Sequence, residues 1–257
     1  MKLNKHTLSA AVLSLSVIAA NSHATIVEFV TSQGNIRVNL HDETTPETVE
    51  NFLNYVNDGD YIDSIIHRVE PNFVVQGGGF TYDNGFSHDT VETDDAVVNE
   101  PELSNVSGTI AMAKVSGNAN SATSQWFFNV ADNSANLDVQ NGGFTVFGQV
   151  IGDGMEVLTN IQELLLCSTS VGTTPMADYT QEQCASTETP GYENFVVIYN
   201  IDIVDSTTVT DGDLEKVPNT LINAPTTGGG DSGSSGGGSM AWLSPLLAFV
   251  WMRRRKN

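Results

Sequence analysis

Three polar side chains able to bind an amide lie in two segments of this chain. The first segment, IIHRVEPNFVVQGGGF at 65–80, contains Arg68 and Gln76, and the second, SQWFFNV at 124–130, contains Gln125. Guanidinium and amide groups donate hydrogen bonds to a carbonyl, but neither supplies a general base or an activated nucleophile. A surface built from these side chains would hold and polarise an amide, and it would be poorly equipped to cleave one.

Strand alternation decides whether these side chains can meet, because residues two apart on a β-strand share a face. The pairs that share a face in the predicted strands are Ile66 with Arg68, Val74 with Gln76, and Gln125 with Phe127. Trp126 lies on the opposite face from Gln125 and is therefore predicted to be core. If the three faces meet, they form a surface of one arginine, two glutamines and several apolar groups, without a metal ligand set.

Two helices and a series of short strands are predicted to position this surface. In the first helix, TTPETVENFLNYVNDG at 44–59, Thr44 and Glu47 have the spacing of a capping box and Gly59 ends the helix. The second helix is DGMEVLTNIQELLL at 153–166. Strands are predicted in TIVEFVTSQGNIRVNL, residues 63–78, GTIAMAKV, SQWFFNV, GFTVFGQV and ENFVVIYNIDIVD, with a long loop at 81–104. Many short strands with two helices favour a barrel or sandwich that the helices cap.

The distribution of charge excludes one class of function. The formal net charge is −21, and the 31 acidic residues are accompanied in the middle of the chain by Arg37, Arg68, Lys114 and Lys216 alone. Such a surface repels phosphates, so no nucleic-acid partner is expected. The acidity is interpreted as a source of solubility in preference to a cation-binding device, and neither a metal nor another cofactor is expected.

Both ends of the chain are predicted to direct the protein out of the cytoplasm. Residues 1–24 combine a charged start, an apolar run and a small-residue cleavage site, the layout of a secretory signal peptide with Thr25 as the mature start. Residues 206–239 form an acidic and then Gly/Ser-rich linker, and 240–257 combine a short apolar segment with a basic cluster. The plain interpretation of this tail is a weak membrane anchor with its basic end in the cytoplasm.

The layout of the tail also resembles the GlyGly-CTERM sorting signals of Gram-negative bacteria, which a rhomboid-like intramembrane protease removes. This resemblance covers about the last thirty residues. It implies that the sorting protease is a partner and that the protein contacts the membrane only through its tail. The protein would reach the periplasm, be tethered to the inner membrane until the tail is removed, and then move to the cell surface or outside.

Cys167 and Cys184 are the two cysteines of the chain. In an oxidising compartment, a pair this close in sequence is expected to form a disulfide. The disulfide would close a loop of about 18 residues and stabilise the fold by on the order of 3 kcal/mol. A metal site is not expected, because no histidine lies between or beside the two cysteines.

Three sequence blocks, HRVEPNFVVQGGGF, GTIAMAKVSGNANSATSQWFFNV and GGFTVFGQV, together resemble the cyclophilin family of peptidyl-prolyl cis–trans isomerases. The likeness is to the bacterial exported branch, and it covers a domain at about 25–205. It implies a mainly β fold, an eight-stranded antiparallel closed β-barrel capped by two α-helices. It also implies a monomeric isomerase of Xaa-Pro bonds that assists the folding of exported proteins, with proline-containing peptides and unfolded client proteins as partners.

The resemblance implies a role for each candidate side chain. Arg68, Gln76 and His67 would be catalytic, with Arg68 donating to the prolyl nitrogen of the twisted amide and Gln76 binding the substrate carbonyl. The expected substrate-binding residues are Phe73, Val74, Ala113, Lys114 (largely by its backbone), Gln125, Phe127, Leu137 and Phe144. Structural alternatives remain open, since Arg68 could simply pair with a carboxylate, His67 could satisfy a backbone group and Phe127 could be core.

Two other functions also remain open from the sequence. The same scaffold could serve as a non-catalytic proline-peptide binding module or chaperone. The acidic surface and the sorting tail would also suit a surface adhesion or assembly protein.

Overall fold

The structure of the protein is a computed structural model that describes residues 25–186, 188–206 and 214–223. The predicted signal peptide at 1–24 and the predicted tail at 240–257 lie outside the described residues. Within the described ranges, no helix is both long enough and apolar enough to cross a membrane.

The described residues form thirteen strands and four α-helices. The strands are β1 (Ile26–Thr31), β2 (Gly34–Leu40), β3 (Ser64–Ile65), β4 (Arg68–Glu70), β5 (Val74–Gly77), β6 (Phe80–Asn84), β7 (Ser87–Thr90), β8 (Thr109–Met112), β9 (Trp126–Asn129), β10 (Val146–Ile151), β11 (Leu165–Ser168), β12 (Thr173–Met176) and β13 (Val197–Asp205). The helices are α1 (Pro46–Asp58), α2 (Ser134–Leu137), α3 (Gly154–Glu163) and α4 (Gln181–Cys184). Helices α1 and α3 correspond to the two predicted helices, and the four-residue helices α2 and α4 were not predicted.

Eleven of the strands form one antiparallel sheet in the order β4-β5-β9-β8-β10-β2-β1-β13-β3-β6-β7. Strands β3 and β4 are separated in sequence only by Ile66 and His67. The N–H of Ile66 donates to the Val196 carbonyl at 2.9 Å, and the N–H of His67 donates to the Gln76 carbonyl at 3.2 Å. The segment 64–70 therefore bonds to the β13 side at one end and to β5 at the other. The predicted mainly β architecture with an antiparallel sheet and few helices is confirmed.

The main core is built from alternate residues of the central strands. Phe29 of β1 and Trp126 of β9 are completely buried, and their rings meet edge to face with centroids 5.0 Å apart. Helix α1 adds Phe52, whose ring centroid lies 5.1 Å from that of Phe147 in β10, and α3 adds the fully buried Leu158. The prediction that Trp126 belongs to the core is confirmed, because β9 alternates regularly.

The first turn of α1 is capped by a distant carboxylate and not by the predicted box of Thr44 and Glu47. The N–H and the hydroxyl of Thr48 donate to Oε2 of Glu100 at 2.9 and 2.7 Å. A carboxylate at this position satisfies free N–H groups and favours the helix dipole. The capping-box prediction is wrong, because the cap comes from a loop that the local sequence does not reveal. The predicted stop at Gly59 is confirmed, since its φ is +79° and its N–H donates to α1 carbonyls.

Two segments for which no strand was predicted contain hairpins. Strands β6 and β7 pair within the predicted loop at 81–104. Strands β11 and β12 pair within the segment that holds the cysteines, and the predicted disulfide is present between Cys167 of β11 and Cys184 of α4. The polar sequence of β7 (SHDT) lacks the apolar alternation from which strands are predicted.

Residues 214–223, which the sequence pattern placed in the linker, pack against the domain. The N–H of Ser104 donates to the Val217 carbonyl at 2.8 Å. The side-chain amide of Asn219 donates to the Asp138 carbonyl at 2.9 Å. This docked segment lacks the periodicity of a helix or a strand, so no sequence signal marked it as part of the fold.

Candidate active site

Three adjacent strand segments bring the predicted polar side chains together. We call Arg68, Gln76 and Gln125 the polar row. Arg68 lies opposite Gln76 in the pairing of β4 with β5, and Gln76 lies opposite Phe127 in the pairing of β5 with β9. Nη1 of Arg68 donates to Oε1 of Gln76 at 3.2 Å, and Nε2 of Gln76 donates to Oε1 of Gln125 at 2.9 Å. The Gln76 amide is thus oriented by a hydrogen bond at each of its two ends.

The guanidinium of Arg68 also has a carboxylate neighbour. Its Nη2 lies 3.3 Å from Oε1 of Glu70, and the two side chains are 22% and 42% exposed. An ion pair this exposed contributes about 0–1 kcal/mol, because water screens the attraction. The ion pair that the sequence left open as an alternative therefore exists. It leaves N–H donors of the guanidinium available, since an arginine has five of them.

A second apolar cluster, distinct from the main core, lies beside the polar row. Its buried members are Val74, Leu103, Ala111, Ala113, Phe127, Leu137, Phe144 and Val146, with Phe73 packed against them. The rings of Phe127 and Phe144 meet edge to face with centroids 5.7 Å apart. The structure therefore brings together every apolar side chain that was predicted to bind substrate.

Lys114 is buried, and its side chain contacts the loop before Phe144. Its Nζ donates to Oδ1 of Asn99 and to the Asn141 carbonyl, each at 3.0 Å, and also to the Gly143 carbonyl. The same ammonium lies 4.8 Å from the centroid of the Phe144 ring. Burial lowers the pKa of Lys114 from 10.5 to about 8, because the charged form loses its hydration. The lysine thus holds the loop that leads into Phe144.

His67, the residue before Arg68, is buried. Only 2% of it is exposed, and its ring centroid lies 4.9 Å from that of Phe80. Burial, with a smaller contribution from the Arg68 charge, lowers the pKa of His67 to about 3. The imidazole is therefore neutral near pH 7.

Arg68 reaches the row through a break in the strand. Ile66 and Val69 both belong to the main core, whereas Arg68 points to Gln76. Regular alternation would place Ile66 and Arg68 on one face, so that prediction is wrong. The reason is that Ile66 and His67 interrupt the ladder between β3 and β4. Regular alternation of side chains therefore does not continue from Ile66 to Arg68.

The glycines after Gln76 allow the two strands to approach closely. A methyl group on Gly79 would lie 2.6 Å from Cδ of Gln125, and one on Gly78 would lie 2.6 Å from the Ser124 carbonyl oxygen. Gly78 also has a φ of +75°, which side chains rarely allow. These glycines make room for Gln125 to reach Gln76.

A family model described as cyclophilin type peptidyl-prolyl cis-trans isomerase/CLD matches residues 26–185. The match spans more than half of the chain and includes both the polar row and the apolar cluster. The chain belongs to the cyclophilin family. It is accordingly a peptidyl-prolyl cis–trans isomerase, and cyclophilins bind proline-containing peptides.

Curated relatives support the same assignment. This cyclophilin is 44% identical over 171 residues to peptidyl-prolyl cis-trans isomerase A of Dickeya dadantii, which covers 63% of this chain and 86% of that protein. It is 39% identical over 143 residues to isomerase B of Escherichia coli, which covers 53% of this chain and 84% of that protein.

Among solved structures, a Cryptosporidium parvum cyclophilin crystallised in the presence of the dipeptide Ala-Pro gives a TM-score of 0.49 at 22% identity, covering 70% of this chain and 99% of that one.

Three members of the apolar cluster of this cyclophilin were missed from the sequence. Ala111 lies two residues before Ala113, and Val146 lies two residues after Phe144, so strand alternation could have found both. Leu103 comes from a loop, where no periodicity points to it. The apolar cluster therefore has more members than the sequence predicted.

The arrangement in this cyclophilin suits binding and polarisation of an amide. The row offers N–H donors from Arg68, Gln76 and Gln125, and the cluster offers an adjoining apolar surface. The carboxylate of Glu70 is engaged with the guanidinium, and His67 is buried and neutral. Neither is poised as the base that bond cleavage would need.

Proposed function

We propose that this cyclophilin isomerises Xaa-Pro bonds in exported proteins and that Arg68 stabilises the twisted amide. Rotation about an amide C–N bond costs about 18–20 kcal/mol, because the bond has partial double-bond character. Unaided Xaa-Pro isomerisation takes on the order of tens to hundreds of seconds, which can limit folding. An enzyme for this step needs to stabilise a rotated amide without breaking any bond.

The role of Arg68 follows from the electronic change during rotation. Twisting the bond uncouples the nitrogen lone pair from the carbonyl, so the prolyl nitrogen becomes a hydrogen-bond acceptor only near the transition state. A guanidinium N–H fixed beside it then stabilises the transition state more than either ground state. The observation that supports this role is the row in which Gln76 accepts from Arg68 at 3.2 Å while Gln125 accepts from Gln76 at 2.9 Å.

The apolar cluster is the proposed site for the proline ring. Phe127 lies directly opposite Gln76 in the sheet, so a ring packed on Phe127 would place its amide next to the row. Gln76 binds the substrate carbonyl, and Gln125 and Ala113 hold the peptide chain. His67 precedes β4 as a buried, neutral ring, and it takes no part in proton transfer near pH 7.

The closed barrel expected for the family is also a proposal. We infer that the segment 64–70 closes the sheet, because it bonds to the β13 side at one end and to β5 at the other. The strands of this ring would be the segment 64–70, β5, β9, β8, β10, β2, β1 and β13, which makes eight. Helices α1 and α3 cover the core of this ring, and the hairpin β6–β7 lies outside it.

Export is a further part of the proposal, and the contacts of Thr25, the expected mature start, suit it. The backbone nitrogen of Thr25 donates to Oδ2 of Asp42 at 2.9 Å, and its hydroxyl donates to Oδ1 at 2.8 Å. If the signal peptide is cleaved before Thr25, the new ammonium group forms an ion pair with this carboxylate. Tail removal by a sorting protease is a further part of the proposal. Mass spectrometry of the exported protein tests both, because a retained residue 24 or a retained basic end would contradict them.

The catalytic proposal is tested by comparing two arginines. Arg68→Ala is expected to lower kcat/KM on an Xaa-Pro peptide by about 10²–10³-fold, the usual effect of losing one transition-state donor. Arg37→Ala is the matched control, because Arg37 pairs with Glu28 on the exposed surface. Arg37→Ala is expected to retain full activity. Equal rates for Arg68→Ala and the unaltered protein would contradict the role of Arg68, and no acceleration by the unaltered protein would favour a non-catalytic binding module.

A further inference from the structure

We propose that the disulfide-closed hairpin β11–β12 positions Arg68 and that Thr174 is the positioning residue. This inference rests on the proposed catalytic role of Arg68. The hairpin is separate from the large sheet, and its strand β12 lies against the segment that carries the arginine.

Thr174 fixes the peptide unit that leads into Arg68. Its hydroxyl donates to the His67 carbonyl at 2.9 Å, and the residue is completely buried. This carbonyl belongs to the peptide bond between His67 and Arg68, so the hydrogen bond sets the orientation of the arginine backbone. The Thr174 hydroxyl also lies 2.9 Å from that of Thr169, which holds it within the hairpin.

Gly172 brings the tip of the hairpin onto the stem of the arginine. A methyl group at Gly172 would lie 3.0 Å from Cβ of Arg68 and 3.0 Å from the His67 carbonyl oxygen. The φ of Gly172 is +149°, a backbone conformation that side chains rarely adopt. The hairpin therefore restricts the space in which the first carbons of the arginine side chain can move.

The disulfide anchors the hairpin at the level of Thr174. Cys167 lies directly opposite Thr174 in the pairing of β11 with β12, and it is joined to Cys184 of α4. At the tip, the N–H of Thr169 donates to the Gly172 carbonyl at 2.8 Å. The disulfide thus holds β11 to α4, and the internal hydrogen bond fixes the turn.

The short length of β4 explains why such a support is needed. Strand β4 has three residues, and its strand pairing is with β5. A strand this short has few ladder hydrogen bonds and opens more readily than a long one. The hairpin supplies the contact that a neighbouring strand would otherwise give. In this way the loop between the two cysteines gains a function in catalysis.

The decisive variant is Thr174→Val, which keeps the shape of the side chain and removes the hydroxyl. We expect kcat to fall by about tenfold while KM changes little, because Arg68 acts on the transition state. Thr174→Ser, which retains the hydroxyl, is expected to keep nearly full activity. Thr173→Val is the matched control, since Thr173 is the adjacent strand residue with the opposite side-chain direction.

A double-mutant cycle separates positioning from general stability. If Thr174 acts through Arg68, adding Thr174→Val to Arg68→Ala leaves the residual rate unchanged. If the hairpin only stabilises the fold, Thr174→Val lowers the rate by the same factor in both backgrounds, and this result would overturn the inference. Should Thr174→Val fail to fold, Thr174→Ala, which also removes the hydroxyl, is taken through the same cycle with the same two outcomes.

The two proposals fail in distinguishable ways. Full activity of Arg68→Ala would refute the proposed role of the arginine, and the inference would fall with it. A slow Arg68→Ala protein combined with a fully active Thr174→Val protein would refute the positioning role alone. Circular dichroism and thermal unfolding of each variant confirm that folded proteins are being compared.

Discussion

The ammonium group of Lys114 lies 4.8 Å from the centroid of the Phe144 ring. It also donates to the carbonyls of Asn141 and Gly143, the residues that lead into Phe144. A desolvated cation over an aromatic face contributes about 2 kcal/mol. A lysine expected to act through its backbone therefore has a second role, because its side chain braces one wall of the proposed proline pocket.

Replacing Lys114 with methionine is expected to weaken substrate binding more than it slows the reaction. Methionine fills similar space but supplies no donors, so the loop before Phe144 loses its hydrogen bonds. We expect KM for an Xaa-Pro peptide to rise about fivefold, which corresponds to about 1 kcal/mol, the usual contribution of one net hydrogen bond. Steady-state kinetics with separate kcat and KM values measures this. An unchanged KM with a reduced kcat would contradict the pocket-bracing role.

The buried His67 makes stability depend on pH in the acidic range. Its pKa is about 3 in the folded protein, because burial disfavours the charged form, and 6.5 is its ordinary value. Between these two values the unfolded chain binds a proton that the folded chain does not. This group therefore lowers stability as pH falls below about 6.5, by at most about 1.4 kcal/mol per pH unit.

The variant His67→Gln lacks this titrating group, so its unfolding free energy should depend less on pH. Between pH 7 and 5.5, the unaltered protein is expected to lose about 1 kcal/mol more unfolding free energy than His67→Gln. Urea unfolding at the two pH values measures the difference, and all other titrating groups are shared by the two proteins. Equal losses of unfolding free energy in the two proteins would mean that His67 takes up its proton in the folded state.

Regular strands are the part of this site that the sequence could predict. In SQWFFNV, alternation correctly separates Phe127 in the second apolar cluster from Trp126 in the core. The same rule fails at Ile66 and Arg68, because the strand is interrupted between them. Alternation follows from local backbone geometry, whereas an interruption depends on which partner strands each half of the segment finds.

Contacts between distant segments account for the rest of what was missed. Glu100 caps α1, Leu103 joins the second apolar cluster and Thr174 donates to the His67 carbonyl. None of these residues lies in a periodic pattern, so local sequence carries no signal for them. The resemblance to the family supplied Arg68 and the pocket residues, but it could not supply the hairpin or the docked segment 214–223.

Removing the disulfide is expected to destabilise the domain. The bond joins residues 17 apart in sequence. Closing a loop of this size stabilises a protein by about 3 kcal/mol, mainly by restricting the unfolded chain. The double variant Cys167→Ala, Cys184→Ala should therefore unfold at lower urea concentration. A reductant should shift the unaltered protein in the same direction and leave the variant unaffected, and an equal response of both proteins would contradict the assignment.

The docked segment 214–223 is expected to stabilise the proposed proline pocket from behind. Oδ1 of Asn219 accepts from the N–H groups of Leu221 and Ile222, each at 3.0 Å, while its amide donates to the Asp138 carbonyl at 2.9 Å. The Asp138 carboxylate in turn accepts from Asn105.

Asn105 extends this network to the pocket. Its side-chain amide donates to the Phe144 carbonyl at 3.0 Å as well as to Asp138. The N–H of Phe144 donates in turn to the Leu137 carbonyl at 2.9 Å. Phe144 and Leu137 are therefore joined to Asn219 through a continuous set of hydrogen bonds.

Two mature chains that end at different residues test this connection. A chain that ends at residue 206 lacks the docked segment, and one that ends at 223 keeps it. We expect the shorter chain to lose about 1–3 kcal/mol of unfolding free energy, because buried polar groups such as the Asp138 carbonyl lose their partner. Its KM should rise, since Leu137 and Phe144 lose support. Asn219→Ala in the longer chain should reproduce part of both effects, and identical stability and KM for the two chains would show that the domain is complete at residue 206.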